Sequence, residues 1–220
     1  MGKGRGGIGR QARIVAVLLA GIAAALPGRV VRGALSARPS QGVWLPRMLA
    51  GSHYPETEMN EPDFKVLFVC MGNVCRSPTA EAVFCKRLAD RDLLHKIKID
   101  SAGTHDFHPG APPDERSQIH ARKRGYDLSN LRARPVVESD FEAFDLLLTM
   151  DWDNRALLEE RCPAPHLHKI RGVAEFLQTT QASVIPDPYH GGDEGFEKVL
   201  DLIEEASDGL MKFILQKIEA

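Results

Sequence analysis

Residues 66–78 read VLFVCMGNVCRSP, and they are the most informative segment for the fold class and for the chemistry available to the chain. Residues 65–69 are β-branched and aromatic, which predicts a strand, and the residues from Pro78 onward are amphipathic, which predicts a helix. Cys70 and Arg76 lie between them, separated by five residues. A loop between strand and helix directs backbone N–H groups and the positive end of the helix dipole inward. The stretch therefore predicts a phosphate-binding loop.

Cys70 is the candidate nucleophile of this loop. The thiolate is the reactive form of cysteine, and a cradle of N–H groups stabilises its negative charge. Arg76 adds a planar fork of donors that matches phosphate, which a lysine could not reproduce. Ser77 can hydrogen-bond the sulfur and ease its departure in a second step, while Gly72 and Asn73 tolerate the left-handed backbone of a tight loop. A buried core thiol would explain Cys70 alone, but not the residues that follow it.

A second segment, far downstream, supplies a candidate acid. Asp187 lies between Pro186 and Pro188. Each proline fixes its own φ and restricts the residue before it, so the carboxylate can be held at one point in space. A carboxyl group at such a point can protonate a leaving oxygen. Taken alone, however, the segment is more typical of an ordinary Asp-Pro turn.

Together the two segments resemble the low-molecular-weight protein tyrosine phosphatases. The resemblance runs from Phe64 to Ala220 in the family's order and spacing, and it is greatest to the bacterial branch. It is carried by Val69–Pro78, Ala80–Ala82, Asp100–Thr104, Ala111–Asp114, Arg122–Leu128, Phe144–Asp151 and Asp187–Tyr189. It implies hydrolysis of phosphotyrosine in a tyrosine-phosphorylated protein, through a phosphocysteine intermediate.

The resemblance also implies a role for each site residue. Cys70 is the nucleophile, Arg76 binds the phosphoryl group, and Asp187 protonates the leaving group and later activates water. Ser77 stabilises the thiolate, and Asn73 holds the shape of the loop. The positions of the phosphate-binding loop are Met71, Gly72, Asn73, Val74, Cys75 and Ser77. Neither a metal nor a cofactor is implied, because loop amides and Arg76 supply the electrostatic stabilisation.

Substrate selection is expected from the walls of the pocket. By the resemblance, Phe107 is one aromatic wall and Tyr189 the opposite one, which together form a deep slot for a phosphotyrosyl ring. Val74 favours phosphotyrosine, because related protein-arginine phosphatases carry threonine there. Two positions depart from many relatives. Leu131 stands where they have a histidine that hydrogen-bonds the loop serine, and His190 stands where they have a second tyrosine.

The four cysteines bear on a possible disulfide and on the choice between enzyme classes. Cys75 can form a reversible disulfide with Cys70, which would spare the thiolate from irreversible oxidation, although loop packing explains Cys75 equally well. The spacing of Cys70, Cys75, Cys85 and Cys162 fits no zinc site, and four are too few for a disulfide-built fold.

A thioredoxin-coupled arsenate reductase is the alternative enzyme, but it needs two relay cysteines. A non-enzymatic phosphate-binding module would have lost Cys70 or Asp187.

Charge divides the chain of 220 residues into two parts. Residues 1–61 contain 8 basic and 3 acidic residues, whereas residues 62–220 contain 20 basic and 27 acidic ones. The acidic part is a poor candidate for nucleic-acid binding, which needs a basic face. The sequence therefore predicts a basic N-terminal extension, disordered or only locally helical, and a phosphatase domain over residues 62–220.

The extension allows three interpretations. Ile14 to Leu26 is an apolar run of 13 residues, which is short for a membrane span. Its basic start and its small residues resemble a secretory signal peptide, and its basic composition also suits an organelle-targeting segment. Alternatively, translation starts at Met59, and this suits a cytoplasmic enzyme that needs a reduced Cys70.

Short apolar runs alternate with amphipathic stretches along the domain. This alternation predicts a doubly wound α/β domain with a four-stranded parallel sheet, helices on both faces and a site after the first strand. Strands are predicted near 65–69, 97–100, 144–149 and 167–170. Helices are predicted near 78–91, 113–124, 151–160, 172–178 and 194–218.

Overall fold

A parallel sheet is the centre of the part of the chain that the structure describes. In the computed structural model residues 61–219 are described, and the predictions for residues 1–60 lie outside them. The strands are β1 (Phe64–Cys70), β2 (Ile97–Gly103), β3 (Leu146–Thr149) and β4 (Ile170–Gly172). They pair in the order β2-β1-β3-β4, and every pair is parallel. The predicted four-stranded sheet is confirmed.

Helices cover both faces of this sheet. They are α1 (Arg76–Ala89), α2 (Glu115–Lys123), α3 (Glu138–Ala143), α4 (Trp152–Arg161) and α5 (Asp193–Ile218). Alternate side chains of a strand point to opposite faces. Accordingly Val66 and Phe68 join a buried cluster with α1, α2 and α5, whereas Leu67 and Val69 join one with α3 and α4. This two-sided burial confirms the doubly wound fold class.

The segment around β4 corrects the sequence prediction. The strand predicted at 167–170 is preceded by a 3-10 helix, Ala164–Lys169, and β4 itself begins only at Ile170. Pro163 and Pro165 favour this tight turn, because their fixed φ and missing N–H groups suit its start. The helix predicted at 172–178 is a single 3-10 turn, Val173–Phe176.

Helix α3 was not predicted. Its six residues are too few for a clear periodic pattern, and its stability depends on its start. The Asp140 carboxylate accepts a hydrogen bond from the Val137 backbone N–H at 2.9 Å. Asp140 also binds the guanidinium of Arg134 at 2.8 Å. The charge pattern at residues 138–140 was the available signal.

The sheet brings the ends of β1 and β2 together at the site. Cys70 and Gly103 are register partners, and Thr104 N–H donates to the Cys70 carbonyl at 2.8 Å. A Cβ at Gly103 would lie 2.8 Å from the Met71 carbonyl oxygen, which is too close for any other residue. The loop after β1 is therefore held against the end of β2. Within residues 61–219, no helix is long and apolar enough to cross a membrane.

Candidate active site

The loop between β1 and α1 has its shape set by Asn73. This residue is buried and has a φ of 55°, in the left-handed region. Its Nδ2 donates to Ser77 Oγ and to Ser101 Oγ, both at 2.9 Å, and its Oδ1 accepts from Arg134 N–H at 2.9 Å. Ser101 Oγ in turn donates to a buried carboxylate, Glu81 Oε2, at 2.6 Å. These bonds stabilise a backbone conformation that most residues disfavour.

Ser77 links this network to the Cys70 sulfur. Ser77 Oγ lies 3.0 Å from Cys70 Sγ and 3.3 Å from the Ala102 carbonyl oxygen, and both side chains are buried. The hydroxyl accepts from Asn73, and its single proton can be donated either to the Ala102 carbonyl or to the Cys70 sulfur. Leu131, at the position of the expected histidine, lies in the apolar core. The orientation of Ser77 therefore comes from Asn73, Cys70 and Ala102.

Arg76 is a buried cation that joins three parts of the site. Its side chain is only 2% exposed. Nη1 donates to Asp151 Oδ2 at 2.5 Å and to the Ile185 carbonyl at 3.1 Å, and Nη2 donates to Asp187 Oδ2 at 2.7 Å. Burial by itself disfavours the charge, but the Cys70 sulfur and the two carboxylates outweigh it and raise the pKa of Arg76. The guanidinium is thus a fixed positive charge.

Asp151 is a site residue that the sequence reasoning missed. It is the N-cap of α4, where its Oδ1 accepts from Asn154 N–H at 2.7 Å while its Oδ2 accepts from Arg76. The available signal was an aspartate between the end of a predicted strand and the start of a helix, since such positions cap helices and lie at the ligand-binding edge of parallel sheets.

The Asp187 carboxylate makes both the hydrogen bond of a turn and a contact with Arg76. Its Oδ1 accepts from Tyr189 N–H at 3.0 Å, which is the bond of an Asp-Pro turn. Its Oδ2 accepts from Arg76 at 2.7 Å, and its side chain remains 43% exposed. The segment is anchored by Ile185 N–H, which donates to the Met150 carbonyl at 2.7 Å. The turn holds one oxygen and leaves the other directed at Arg76.

The expected wall residues lie on two separate loops. Phe107, on the loop after β2, is 58% exposed and stacks on His105 with ring centroids 4.7 Å apart. Tyr189, on the loop before α5, is exposed, and the Arg116 guanidinium lies 5.5 Å from its ring centroid. His108 is a further neighbour of the phosphate loop, since a Cβ at Gly72 would lie 3.2 Å from its ring.

Cys75 lies at the N-cap of α1, inside the loop. It is buried, and desolvation raises the pKa of its thiol to about 12. All four cysteines are unpaired thiols in this structure. Burial likewise raises the pKa of Cys85 to about 12. Among residues 61–219, no cluster of three or more histidine, cysteine, aspartate or glutamate side chains could hold a metal ion.

Comparisons with known proteins agree on one family. A family model described as low molecular weight phosphotyrosine protein phosphatase matches residues 65–220. A putative low molecular weight protein-tyrosine-phosphatase from Synechocystis is 42% identical over 148 residues, 67% of this chain and 94% of the relative. The human low molecular weight phosphotyrosine protein phosphatase is 39% identical over 140 residues, 61% of this chain and 85% of the relative.

Solved structures give the same result. The crystal structure of a protein tyrosine phosphatase from Entamoeba histolytica with Hepes in the active site matches with a TM-score of 0.68 and 42% identity. That match covers 70% of this chain and 98% of the other. The crystal structure of YfkJ from Bacillus subtilis matches with a TM-score of 0.67 and 35% identity, over 72% of this chain and 98% of the other.

Proposed function

The chain belongs to the low molecular weight phosphotyrosine protein phosphatase family, and from that premise we propose that it hydrolyses phosphotyrosine in phosphoproteins. The observation that carries the proposal is the proximity of the Cys70 sulfur to the buried Arg76 guanidinium, whose pKa it raises. Cys70 Sγ is hydrogen-bonded to Ser77, and the buried Arg76 guanidinium binds Asp187 at 2.7 Å. These are the groups needed for attack, charge stabilisation and proton donation.

In the first step, the Cys70 thiolate attacks phosphorus. The S–P bond forms, the bond from phosphorus to the phenolic oxygen breaks, and Asp187 gives that oxygen its proton. Arg76 Nη2 donates to Asp187 Oδ2 in the absence of substrate. Phosphoryl oxygens would take over this donor, because the planar fork matches them. Substrate binding would thereby release Asp187 from Arg76 and leave its oxygen available to carry the proton.

In the second step, Asp187 removes a proton from water. The water oxygen attacks phosphorus, the S–P bond breaks, and phosphate leaves. Ser77 Oγ, at 3.0 Å from Cys70 Sγ, donates its proton in a hydrogen bond to the departing sulfur. Loop N–H groups and Arg76 stabilise the charge on the phosphoryl oxygens in both steps. Covalent relay through cysteine divides one difficult displacement into two easier ones.

The pocket walls support phosphotyrosine over other phosphoresidues. Phe107 and Tyr189 are exposed aromatics on loops at the same edge of the sheet, and a slot between two such walls would admit a phenyl ring and leave phosphoserine short of Cys70. Val74 supports phosphotyrosine over phosphoarginine. The arsenate reductase alternative is disfavoured, since it needs two relay cysteines, whereas Cys85 is buried on α1 and Cys162 lies far from it in the sequence.

The proposal extends to the organisation of the chain and its redox chemistry. Residues 62–220 form the phosphatase domain, and residues 1–61 are a separate extension. The family match begins at residue 65, in agreement with this boundary. Because Cys70 must stay reduced, the proposed compartment is the cytoplasm. Cys75 is the proposed redox partner of Cys70, since the two buried thiols lie within one short loop.

The test is hydrolysis of three matched peptides, which carry phosphotyrosine, phosphoserine or phosphoarginine in one sequence. The full chain is expected to release phosphate from the phosphotyrosine peptide at least about 100-fold faster than from the others. The Cys70→Ser variant is the control for contaminating activity. Equal rates on phosphotyrosine and phosphoarginine, or activity that persists in the control, would contradict the proposal.

A further inference from the structure

A tryptophan lies beside the candidate active site, and none of the proposed catalytic steps uses it. Trp152 is 59% exposed. Tryptophan is mostly buried in folded proteins, because its large ring contributes so much apolar surface. Single exposed apolar residues are common, so exposure alone indicates little. Trp152, however, directly follows Asp151, which binds Arg76, so its exposed ring lies next to a residue of the candidate active site.

The backbone at Trp152 is fixed by the active site itself. Asp151 accepts from Arg76 with one carboxylate oxygen and from Asn154 N–H with the other. Trp152 is the first residue of α4, so its position relative to Arg76 follows from these two bonds. Adjacent Cα atoms are about 3.8 Å apart. The indole ring therefore starts one residue from a side chain that binds the proposed phosphoryl-binding cation.

The ring itself also has a partner. The Arg155 guanidinium lies 6.0 Å from the Trp152 ring centroid, within the range of a cation–π contact. Arg155 is held in turn by Glu159 at 2.7 Å and by Glu175 at 3.3 Å. One face of the indole is thus supported while the side chain stays exposed. An aromatic ring that is held in place before binding loses little entropy when it binds, which is typical of contact residues.

The order of strands places Trp152 across the phosphate loop from Phe107. β1 lies between β2 and β3, so the loop after β2, which carries Phe107, and the loop after β3, which leads into Trp152, flank Cys70 on opposite sides. Neighbouring strands are about 4.8 Å apart, so the two flanking loops start about 10 Å apart. An extended peptide advances about 3.3 Å per residue. A peptide residue one to three positions from a bound phosphotyrosine can therefore span the spacing between Cys70 and the start of α4.

We propose that Trp152 is a specificity-determining residue, which binds an apolar side chain one to three positions from the phosphotyrosine of a peptide substrate. The inference rests on the proposed function. An apolar side chain is the occupant that matches an exposed indole whose cationic neighbour is already neutralised by Glu159 and Glu175. Burial of one such side chain changes kcat/KM by about 10- to 200-fold.

The kinetic test compares two phosphotyrosine peptides with a small aryl phosphate. One peptide has leucines at the flanking positions, and the other has serines. In the wild-type full chain we expect kcat/KM for the leucine peptide to be about tenfold higher than for the serine peptide, mainly through KM. Trp152→Ala is expected to remove this preference, and Trp152→Phe to restore most of it. Leu167→Ala, at an exposed position before β4, is the matched control.

Fluorescence provides an independent measurement. Trp44 and Trp152 are the two tryptophans of the sequence. In the full chain with Trp44→Phe and Cys70→Ser, the emission comes from Trp152 alone. The leucine peptide is expected to shift the emission to shorter wavelength as the indole becomes buried, whereas the serine peptide and inorganic phosphate are not.

The outcomes separate this inference from the proposed function. If wild-type protein hydrolyses both peptides at equal kcat/KM, or if Trp152→Ala retains the leucine preference, the inference is wrong while the phosphatase activity stands. If no phosphotyrosine peptide is hydrolysed at all, the proposed function itself fails, and the inference fails with it. Loss of preference in Trp152→Ala with unchanged thermal unfolding supports both.

Discussion

The phosphate loop and the acid segment, which carries Asp187, differ in how deeply their functional side chains are buried. In the phosphate loop Cys70, Asn73 and Ser77 are buried and bonded to one another, and Arg76 is buried beside them. Asp187, on the acid segment, is 43% exposed and is held by one turn bond and by Arg76. A cradle for phosphate works when it is rigid before substrate arrives. A proton donor must instead exchange its proton with solvent and leave Arg76 as phosphate binds.

The difference predicts that changes in the loop are more severe than changes in the acid segment. The largest loss is expected for Cys70→Ser, because a serine hydroxyl at this site is not ionised near neutral pH. Turnover of phosphotyrosine should fall by at least ~10³-fold while phosphate binding and thermal unfolding stay close to wild type. Steady-state kinetics and phosphate titration check both expectations. Residual activity above a few per cent of wild type would contradict the assignment of Cys70 as nucleophile.

Arg76→Lys is expected to be nearly as damaging as Arg76→Ala. The guanidinium binds Asp151 and Asp187 through different nitrogens, and one ammonium cannot reproduce that geometry. A loss of ~10³–10⁵-fold in kcat is expected for both variants, as for other arginines that stabilise phosphoryl transfer. A lysine variant with near wild-type kcat would mean that Arg76 has only a structural role.

Asp187→Asn should slow phosphotyrosine hydrolysis by ~10²–10⁴-fold, the usual range for general acid catalysis. The loss should shrink for aryl phosphates whose phenols are strongly acidic, because these leave without a proton. Asp151→Asn is the matched control, since Asp151 binds the same guanidinium but donates no proton in the proposed steps. Its loss should be independent of the leaving group. If the rate loss depended equally on the leaving group in both variants, Asp187 would not be the general acid.

Variants of Asn73 test whether the three hydrogen bonds of its side chain keep the phosphate loop rigid. Asn73→Gly keeps the left-handed backbone accessible but removes three hydrogen bonds, so a loss of about 2–4 kcal/mol in the free energy of unfolding is expected. Asn73→Ala should lose about 1 kcal/mol more through backbone strain. Urea denaturation measures both. Asp92, at a φ of 56° outside the site, is the control. Asp92→Gly should leave stability nearly unchanged, and an equal loss there would point to a general backbone effect.

The smallest effect is expected for deletion of residues 1–58. The sheet starts at Phe64, and both apolar clusters of the described residues lie within residues 64–218. kcat/KM on phosphotyrosine should stay within about twofold and the melting temperature within about 2 °C. Insoluble or inactive protein after the deletion would mean that the extension belongs to the folded domain.

Features of the fold that depend on short-range order along the chain could be predicted from the sequence. Residues 65–78 predicted a strand, a loop and a helix, and the alternation of apolar runs predicted the confirmed doubly wound fold. These inferences succeed because the spacing of side chains along one segment controls both its local conformation and the face it buries. The restricted backbone of the Pro-Asp-Pro segment could be predicted for the same reason, since prolines restrict their immediate neighbours.

The contacts between residues that are distant in sequence could be read only from the folded chain. Asp151 reaches Arg76 because β3 lies beside β1, and Asn73 reaches Ser101 because β2 lies on the other side. No local pattern contains such pairings, since they follow from the order of the strands in the sheet. The same holds for Trp152, which in sequence is only the first residue of a helix. Strand order brings the start of its helix beside the phosphate loop, and long-range packing of the sheet sets that order.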